Sequence, residues 1–213
     1  MRIIRPDVTE LAGLFSQSTR DVWICSPWVS RQGVDLVKTA LASCDLSRLN
    51  KFELWMRLKP EDQEQGLTDF GAVRSLLLML QEQSPQLQML LYTSPVLHAK
   101  VIWTDHGAMI GSANLTSAGL CTNLELGVRL ESTECNPQTG IRDALRPSLR
   151  PFDLKELETL STVPVQPNIA IEFVTKVDPM VVDTAVEPAR TSTWDNFVEA
   201  LLSERPPTGG GLR

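Results

Sequence analysis

The chain has 213 residues, of which 42% are hydrophobic and 22% charged, with a formal net charge of −6. This length and composition predict one main domain with a substantial core. No apolar run approaches the roughly 20 residues that a membrane helix needs, and the first seven residues lack the apolar run of a signal peptide. We therefore expect a cytoplasmic protein without a membrane segment.

Helical and strand patterns alternate along the first 135 residues. Apolar residues three and four apart predict helices at 7–18, 33–44 and 68–83, and a further short helix is expected near Asn114. Apolar runs rich in β-formers predict strands at 22–25, 52–58, 87–92, 99–103, 108–110 and 125–130. The predicted fold class is α/β, with a mixed β-sheet flanked by helices.

The pattern weakens after Glu131. Helices at 139–149 and 154–160 and a strand at 169–174 complete a domain predicted to span residues 1–177. Residues 178–213 form a Pro- and Gly-containing acidic tail, with a short amphipathic segment at 194–202. This segment is either a terminal helix docked on its own domain or a peptide that binds a partner protein.

Charge and cysteine content restrict the possible chemistry only partly. The tail holds six acidic residues and three arginines, so the rest of the chain carries a net charge of −3, which a local basic cleft can override. The four cysteines form no C-x-x-C pair, and the only histidines are His98 and His106. We therefore predict no metal site and no cofactor.

The segment with the clearest chemical signal runs from residue 97 to residue 116. His98 and Lys100 are two positions apart on a predicted strand, so their side chains leave the same face of the sheet. An imidazole and an ammonium group projecting together fit the binding and attack of an anion. Ser112 and Asn114 follow the next strand, and their hydroxyl and amide groups are suitable partners for phosphate oxygens.

This segment resembles the H-x-K-x(4)-D-x(6)-G-S-x-N motif of the phospholipase D superfamily. Asp105 and Gly111 complete the match, and the stretch from Leu115 to Val128 is similar to the nuclease-like branch of that superfamily. The resemblance implies a phospholipase-D-like fold. It also implies that His98 attacks phosphorus to give a phosphohistidine and that a second histidine protonates the leaving oxygen.

The resemblance also assigns roles to the other motif residues. Lys100, Asn114 and Ser112 hold the non-bridging oxygens, and Glu125 orients the imidazole of His98. Asp105 lies in the predicted turn at 104–107, where a structural role is expected. The active site of the superfamily uses two motifs and this sequence contains one, so we expect a homodimer that completes the site.

The substrate is predicted to be nucleic acid, and a role in restriction or phage defence is one interpretation. Two alternatives stay open: a phospholipase or phosphatidyl transferase, and a nucleic-acid-binding subunit of a larger defence complex. Arg57 and Lys59 follow a predicted strand and are candidates for the substrate cleft. Trp28, Trp55 and Trp103 are expected to be core residues, with base stacking as the alternative.

Overall fold

A computed structural model describes residues 1–134, 142 and 145–166. Its centre is an eight-stranded sheet with the order β1-β7-β6-β5-β2-β3-β4-β8. Strands β2, β3 and β4 are parallel neighbours, whereas the other pairs are antiparallel. The strands are β1 (Arg2–Ile4), β2 (Asp21–Cys25), β3 (Lys51–Met56), β4 (Gln88–Thr93), β5 (Val101–Thr104), β6 (Gly107–Gly111), β7 (Gly127–Glu131) and β8 (Arg150–Pro151).

The main helices begin at residues whose side-chain oxygens cap them. Asp7, Ser30, Asp69 and Asp153 each accept a hydrogen bond from the backbone N–H three residues later, as expected for N-cap residues. The helices are α1 (Val8–Ala12), α2 (Arg31–Leu41), α3 (Pro60–Glu64), α4 (Phe70–Gln83) and α5 (Leu154–Ser161). Short 3₁₀ turns occur at Leu46–Arg48 and Arg146–Ser148, and a π-helical turn at Ala118–Thr122.

The sheet buries side chains on both faces. On β3, Phe52 and Leu54 belong to the larger core beneath helices α1, α2, α4 and α5, whereas Trp55 faces the opposite side. There it packs edge-on against Trp23 of β2, with 4.8 Å between ring centroids. Two-sided burial is expected for the parallel strands of an α/β sheet, which need cover on each face.

A buried ion pair lies close to this second core. The carboxylate of Glu53 is fully buried, accepts a 2.8 Å hydrogen bond from Trp55 Nε1 and is bound by the guanidinium of Arg142. Leu145 and Leu149 pack against the same core. The segment that follows β7 therefore contributes both apolar cover and a countercharge to the second face.

The structure confirms the predicted α/β class, with a mixed sheet and helices packed on it. Several boundaries were wrong. The helix predicted over 7–18 ends at Ala12, and the turn after it keeps Leu14 and Phe15 buried without further helix. No helix starts near Asn114, because the backbone of the adjacent Leu115 is bound by residues of the β2–α2 loop, and helical geometry first appears at Ala118.

Other predictions fall partly or wholly beyond the described ranges. The chain divides after Ile169, and residues 170–213 lie outside the described residues. The strand predicted at 169–174, the boundary at residue 178 and the amphipathic segment at 194–202 also lie there. Most of the helix predicted at 139–149 is outside them too, while α5 matches the helix predicted at 154–160.

Candidate active site

The candidate active site lies at one edge of the sheet because of how four strands are arranged. Parallel strands β2 and β3 both end at this edge, which places Ser26 and Arg57 there. Strand β5 is antiparallel to β2, with Val101 paired to Cys25, so β5 begins at this edge. Strand β6 returns to it and ends at Gly111. The residues just before β5 and just after β6 therefore meet.

His98 and Lys100 lie immediately before β5 rather than within it, which corrects the predicted strand boundary. Their side chains nevertheless meet. The Lys100 ammonium lies 3.1 Å from Nδ1 and 3.3 Å from Nε2 of His98, and it donates a 2.6 Å hydrogen bond to the His98 carbonyl oxygen. His98 is exposed and Lys100 is buried. A solvent-accessible imidazole therefore lies in contact with a buried ammonium group.

The electrostatic surroundings of Lys100 act in opposite directions. Burial lowers the pKa of Lys100, and the positive charge of Arg57 lowers it further, while the carboxylate of Glu125 raises it. Cys25 lies beneath this site and donates to the carbonyl of Ala99. Burial raises the pKa of Cys25 to about 12, so this thiol stays protonated and is a packing residue at neutral pH.

Ser112 and Glu125 form the other wall of the site. The Ser112 hydroxyl donates to the Glu125 carboxylate, and the Leu126 N–H donates to Ser112 Oγ at 3.1 Å. The second Glu125 oxygen accepts from Asn123 Nδ2 at 3.3 Å. Within the described residues, the hydrogen bonds of Glu125 go to Ser112 and Asn123 and none goes to His98. An orienting role of Glu125 toward His98 therefore stays a prediction.

His98, Lys100 and Ser112 line one open groove of about 460 Å³. The wall of the groove contains an exposed imidazole, a cation and a hydroxyl. The cation and the hydroxyl can bind phosphate oxygens, and the imidazole can attack the phosphorus. Within residues 1–134, 142 and 145–166, no group of three or more His, Cys, Asp or Glu side chains is placed to hold a metal ion. In the same ranges, no helix combines the length and apolarity needed to cross a bilayer.

Asn114 is close to the groove but lines a neighbouring cavity. Its position follows from the adjacent Leu115, whose N–H donates to Ser26 Oγ at 2.9 Å and whose carbonyl accepts from Ser30 N at 3.1 Å. Gly33 permits this approach, since a Cβ there would lie 2.6 Å from the Leu115 carbonyl carbon. Asn114 Oδ1 is buried and has no hydrogen-bond partner, so a polar atom beside the groove is left unsatisfied.

Asp105 is not brought to the groove. It lies in the turn between β5 and β6, beyond the four residues of β5 and thus about 13 Å from the groove end of that strand. Its Oδ1 accepts from the backbone N–H of Arg20 at 3.1 Å. His106, in the same turn, is within 2.9 Å of Ser16 Oγ. These contacts fit a structural role for the turn.

A cluster around Arg57 is only partly evident from the sequence. Arg57 Nε donates to Asp62 Oδ2 at 2.9 Å, and its guanidinium lies over the Trp28 ring, 5.3 Å from the centroid. Trp28 Nε1 also donates to Asp62, at 3.3 Å. The position of Arg57 after a predicted strand indicates a residue of the cleft. No local sequence pattern predicts that Asp62 and Trp28 contact its side chain.

Comparison with known proteins identifies the class. A family model described as "Cardiolipin synthase, PLD-like domain" matches residues 11–139, which is more than half of the chain and includes every candidate site residue. The chain belongs to this family of phospholipase-D-like domains, which confirms the resemblance drawn from the motif. No curated protein matches the sequence.

Two solved structures are similar to the chain at low identity. Nuc from Salmonella typhimurium, a phospholipase D family member, is 12% identical, with a TM-score of 0.45, over 68% of this chain and 89% of that one. NucT from Helicobacter pylori is 14% identical, with a TM-score of 0.46, over 68% of this chain and 90% of that one.

Proposed function

We propose that the protein is a phosphodiesterase that cleaves DNA or RNA through a phosphohistidine intermediate. The observation that carries this proposal is the convergence of His98, Lys100 and Ser112 on one open groove, with the imidazole exposed. A ring nitrogen of His98 attacks phosphorus, and the bond from phosphorus to the leaving oxygen breaks. Lys100 and Ser112 stabilise the negative charge on the non-bridging oxygens.

The two proton transfers need a second acid–base group. A second histidine protonates the leaving oxygen and then accepts a proton from the water that attacks the phosphohistidine, which releases phosphate ester and free His98. His106 is the only other histidine of the chain, and it lies at the turn beyond the far end of β5. We therefore propose that the second histidine is His98 of a second copy.

Two exposed apolar side chains lie close in sequence to groove residues. Val96, two residues before His98, is 80% exposed, and Leu124, next to Glu125, is 78% exposed. Contact with a second copy would bury both side chains and remove apolar surface from water. Their position supports a dimer in which two grooves face each other.

The test compares two histidine variants. The purified protein is incubated in EDTA with single-stranded DNA, duplex DNA and RNA, beside His98→Asn and the matched control His106→Asn. We expect strand cleavage that survives EDTA, is lost in His98→Asn by at least about 10³-fold, and persists in His106→Asn. Cleavage that requires a divalent metal would contradict the mechanism.

Phosphatidyl transfer is the second candidate function, because the description of the matching family names cardiolipin synthase. Vesicles of phosphatidylglycerol and phosphatidylcholine therefore form a further arm of the experiment. Turnover of the lipids without cleavage of nucleic acid would replace the nuclease proposal. Binding of nucleic acid without turnover of any substrate would favour the role of a binding subunit. A function in restriction or phage defence rests on the sequence resemblance alone.

A further inference from the structure

A second cavity of about 300 Å³ lies beside the groove, between the start of α2 and the loop that follows β6. We call it the side pocket. Its described lining combines an indole and an aliphatic side chain with neutral hydrogen-bonding groups and contains no charged side chain. The lining residues used below are Trp28, Gln32, Leu67, Asn114, Ser117 and Asn123.

Hydrogen bonds through the carboxylate of Glu125 link the wall of the side pocket to the wall of the groove. Asn123 lines the side pocket and donates to Glu125, and Glu125 accepts from Ser112, which lines the groove. Asn114 is two residues from Ser112 and faces the side pocket. A substrate with its phosphate in the groove therefore needs to reach across only one side chain to place an adjoining group in the side pocket.

Several polar groups of the side pocket have no partner of their own. Asn114 Oδ1 is buried and unsatisfied, and Gln32 and Ser117 make no side-chain hydrogen bond within the described part of the chain. An unpaired buried acceptor costs free energy unless a ligand or water satisfies it. These neutral donors and acceptors fit a neutral ligand with several hydrogen-bonding edges, whereas a phosphate would be served better by cations.

Trp28 gives the side pocket an aromatic element in a fixed orientation. Its ring nitrogen is held by Asp62, and Arg57 lies over the ring. A rigid indole stabilises planar ligands at small cost in side-chain entropy. Planarity, neutrality and several hydrogen-bonding edges together describe a nucleobase, and a cavity of this volume is at the lower end of those that hold small organic ligands (about 300–1,000 Å³).

We propose that the side pocket binds one unpaired nucleobase next to the phosphate in the groove, which makes single-stranded nucleic acid the preferred substrate. This inference rests on the proposed nuclease function and specifies its substrate. A base inside a duplex has to unpair and unstack before it enters such a pocket, and that costs free energy. A base of a single strand enters at much lower cost.

The test fills the side pocket and measures binding. Ser117→Leu adds bulk to the lining without removing a hydrogen bond. The control Ser75→Leu is the same substitution on an exposed position of α4, where it removes only an exposed hydrogen bond from Lys38 Nζ. Both are made in His98→Asn protein, so that a fluorescent single-stranded oligonucleotide is bound but not cut. We expect Ser117→Leu to raise the Kd about tenfold, with no change for Ser75→Leu.

An oligonucleotide of the same length with abasic sites separates base binding from backbone binding. It should bind about tenfold more weakly than the intact strand, and Ser117→Leu should not weaken it further. Gln32→Ala, which removes an exposed side chain without a partner, provides a second variant if Ser117→Leu fails to fold, and it should also weaken binding of the intact strand only. Equal binding of intact and abasic strands would overturn the inference.

A small diester without a base separates this inference from the proposed function. The unsubstituted protein should hydrolyse bis(p-nitrophenyl) phosphate, and His98→Asn should not. Absence of hydrolysis in the unsubstituted protein would contradict the proposed chemistry, while the binding experiment would still decide the side pocket. If Ser117→Leu blocks binding to phosphatidylglycerol vesicles and leaves oligonucleotide binding unchanged, the ligand is a lipid headgroup and not a base.

Discussion

The Lys100 ammonium lies 3.1 Å from Nδ1 of His98 and donates to the carbonyl oxygen of the same residue. The cation is thus fixed beside the proposed nucleophile by a backbone acceptor that does not titrate. A phosphate drawn to Lys100 is brought to the imidazole at the same time. In the proposed mechanism the pair acts as one unit, in which Lys100 binds the anion and His98 attacks it.

The charge of Lys100 predicts how binding depends on pH. Burial lowers the pKa of Lys100 from the ordinary 10.5, so the protonated, anion-binding form is lost at a lower pH than for a free lysine. In His98→Asn protein, oligonucleotide affinity should fall about tenfold as this proton is lost. Lys100→Arg should show no such fall, because a guanidinium does not deprotonate in this range. An identical fall in both proteins would place the titration elsewhere.

A site shared between two copies predicts a mixing effect. If each site needs His98 from both copies, one His98→Asn subunit inactivates the dimer. After subunit exchange in an equal mixture, about a quarter of the activity should remain, against about half for independent monomers. Cleavage rates at a fixed total concentration measure this, and light scattering gives the mass. Half the activity together with a monomeric mass would refute the shared site.

The close contact between Gly33 and Leu115 predicts that one added methyl group at residue 33 destabilises the protein. In Gly33→Ala, the new Cβ overlaps the Leu115 carbonyl, and we expect a loss of about 1–3 kcal/mol in the free energy of unfolding together with reduced cleavage. Gly71→Ala on α4 is the matched control. Its Cβ would meet neighbours at 3.4 Å or more, so denaturant unfolding should show no loss of stability, or a small gain.

The ion pair between Glu53 and Arg142 predicts non-additive effects on stability. Arg142→Met leaves a buried carboxylate without its countercharge and should lower the free energy of unfolding by about 3–5 kcal/mol. Adding Glu53→Gln removes the charge but keeps the acceptor for Trp55 Nε1, so the double variant should be more stable than Arg142→Met alone. Urea unfolding of the unsubstituted protein, the two single variants and the double variant measures the coupling free energy between Glu53 and Arg142. Strict additivity would mean that the pair does not interact.

The position of Asp105 predicts a variant that separates stability from activity. Asp105→Ala removes the acceptor for the Arg20 N–H, at a cost of about 1 kcal/mol in the free energy of unfolding. Since Asp105 lies beyond the far end of β5, the cleavage rate at a temperature well below unfolding should stay within about twofold. A much larger loss of rate would place Asp105 among the catalytic residues.

The sequence predicts the local features of the site better than its long-range contacts. His98, Lys100 and Ser112 follow from motif spacing. The path of the backbone around Asn114 does not, because Ser26 and Ser30, more than eighty positions earlier, hold the adjacent Leu115. Periodicity likewise predicts a helix that continues past Ala12. This prediction is wrong because Leu14 and Phe15 are buried at helical spacing without being helical.

The two outermost strands of the sheet limit how two copies can associate. Strand β1 has three residues and β8 has two, and Pro151 of β8 has no backbone N–H to offer. Within the described residues, these two outermost strands thus give an incoming strand few backbone groups to pair with. Copies of this chain are therefore expected to meet through side chains around the groove rather than by joining their sheets into one.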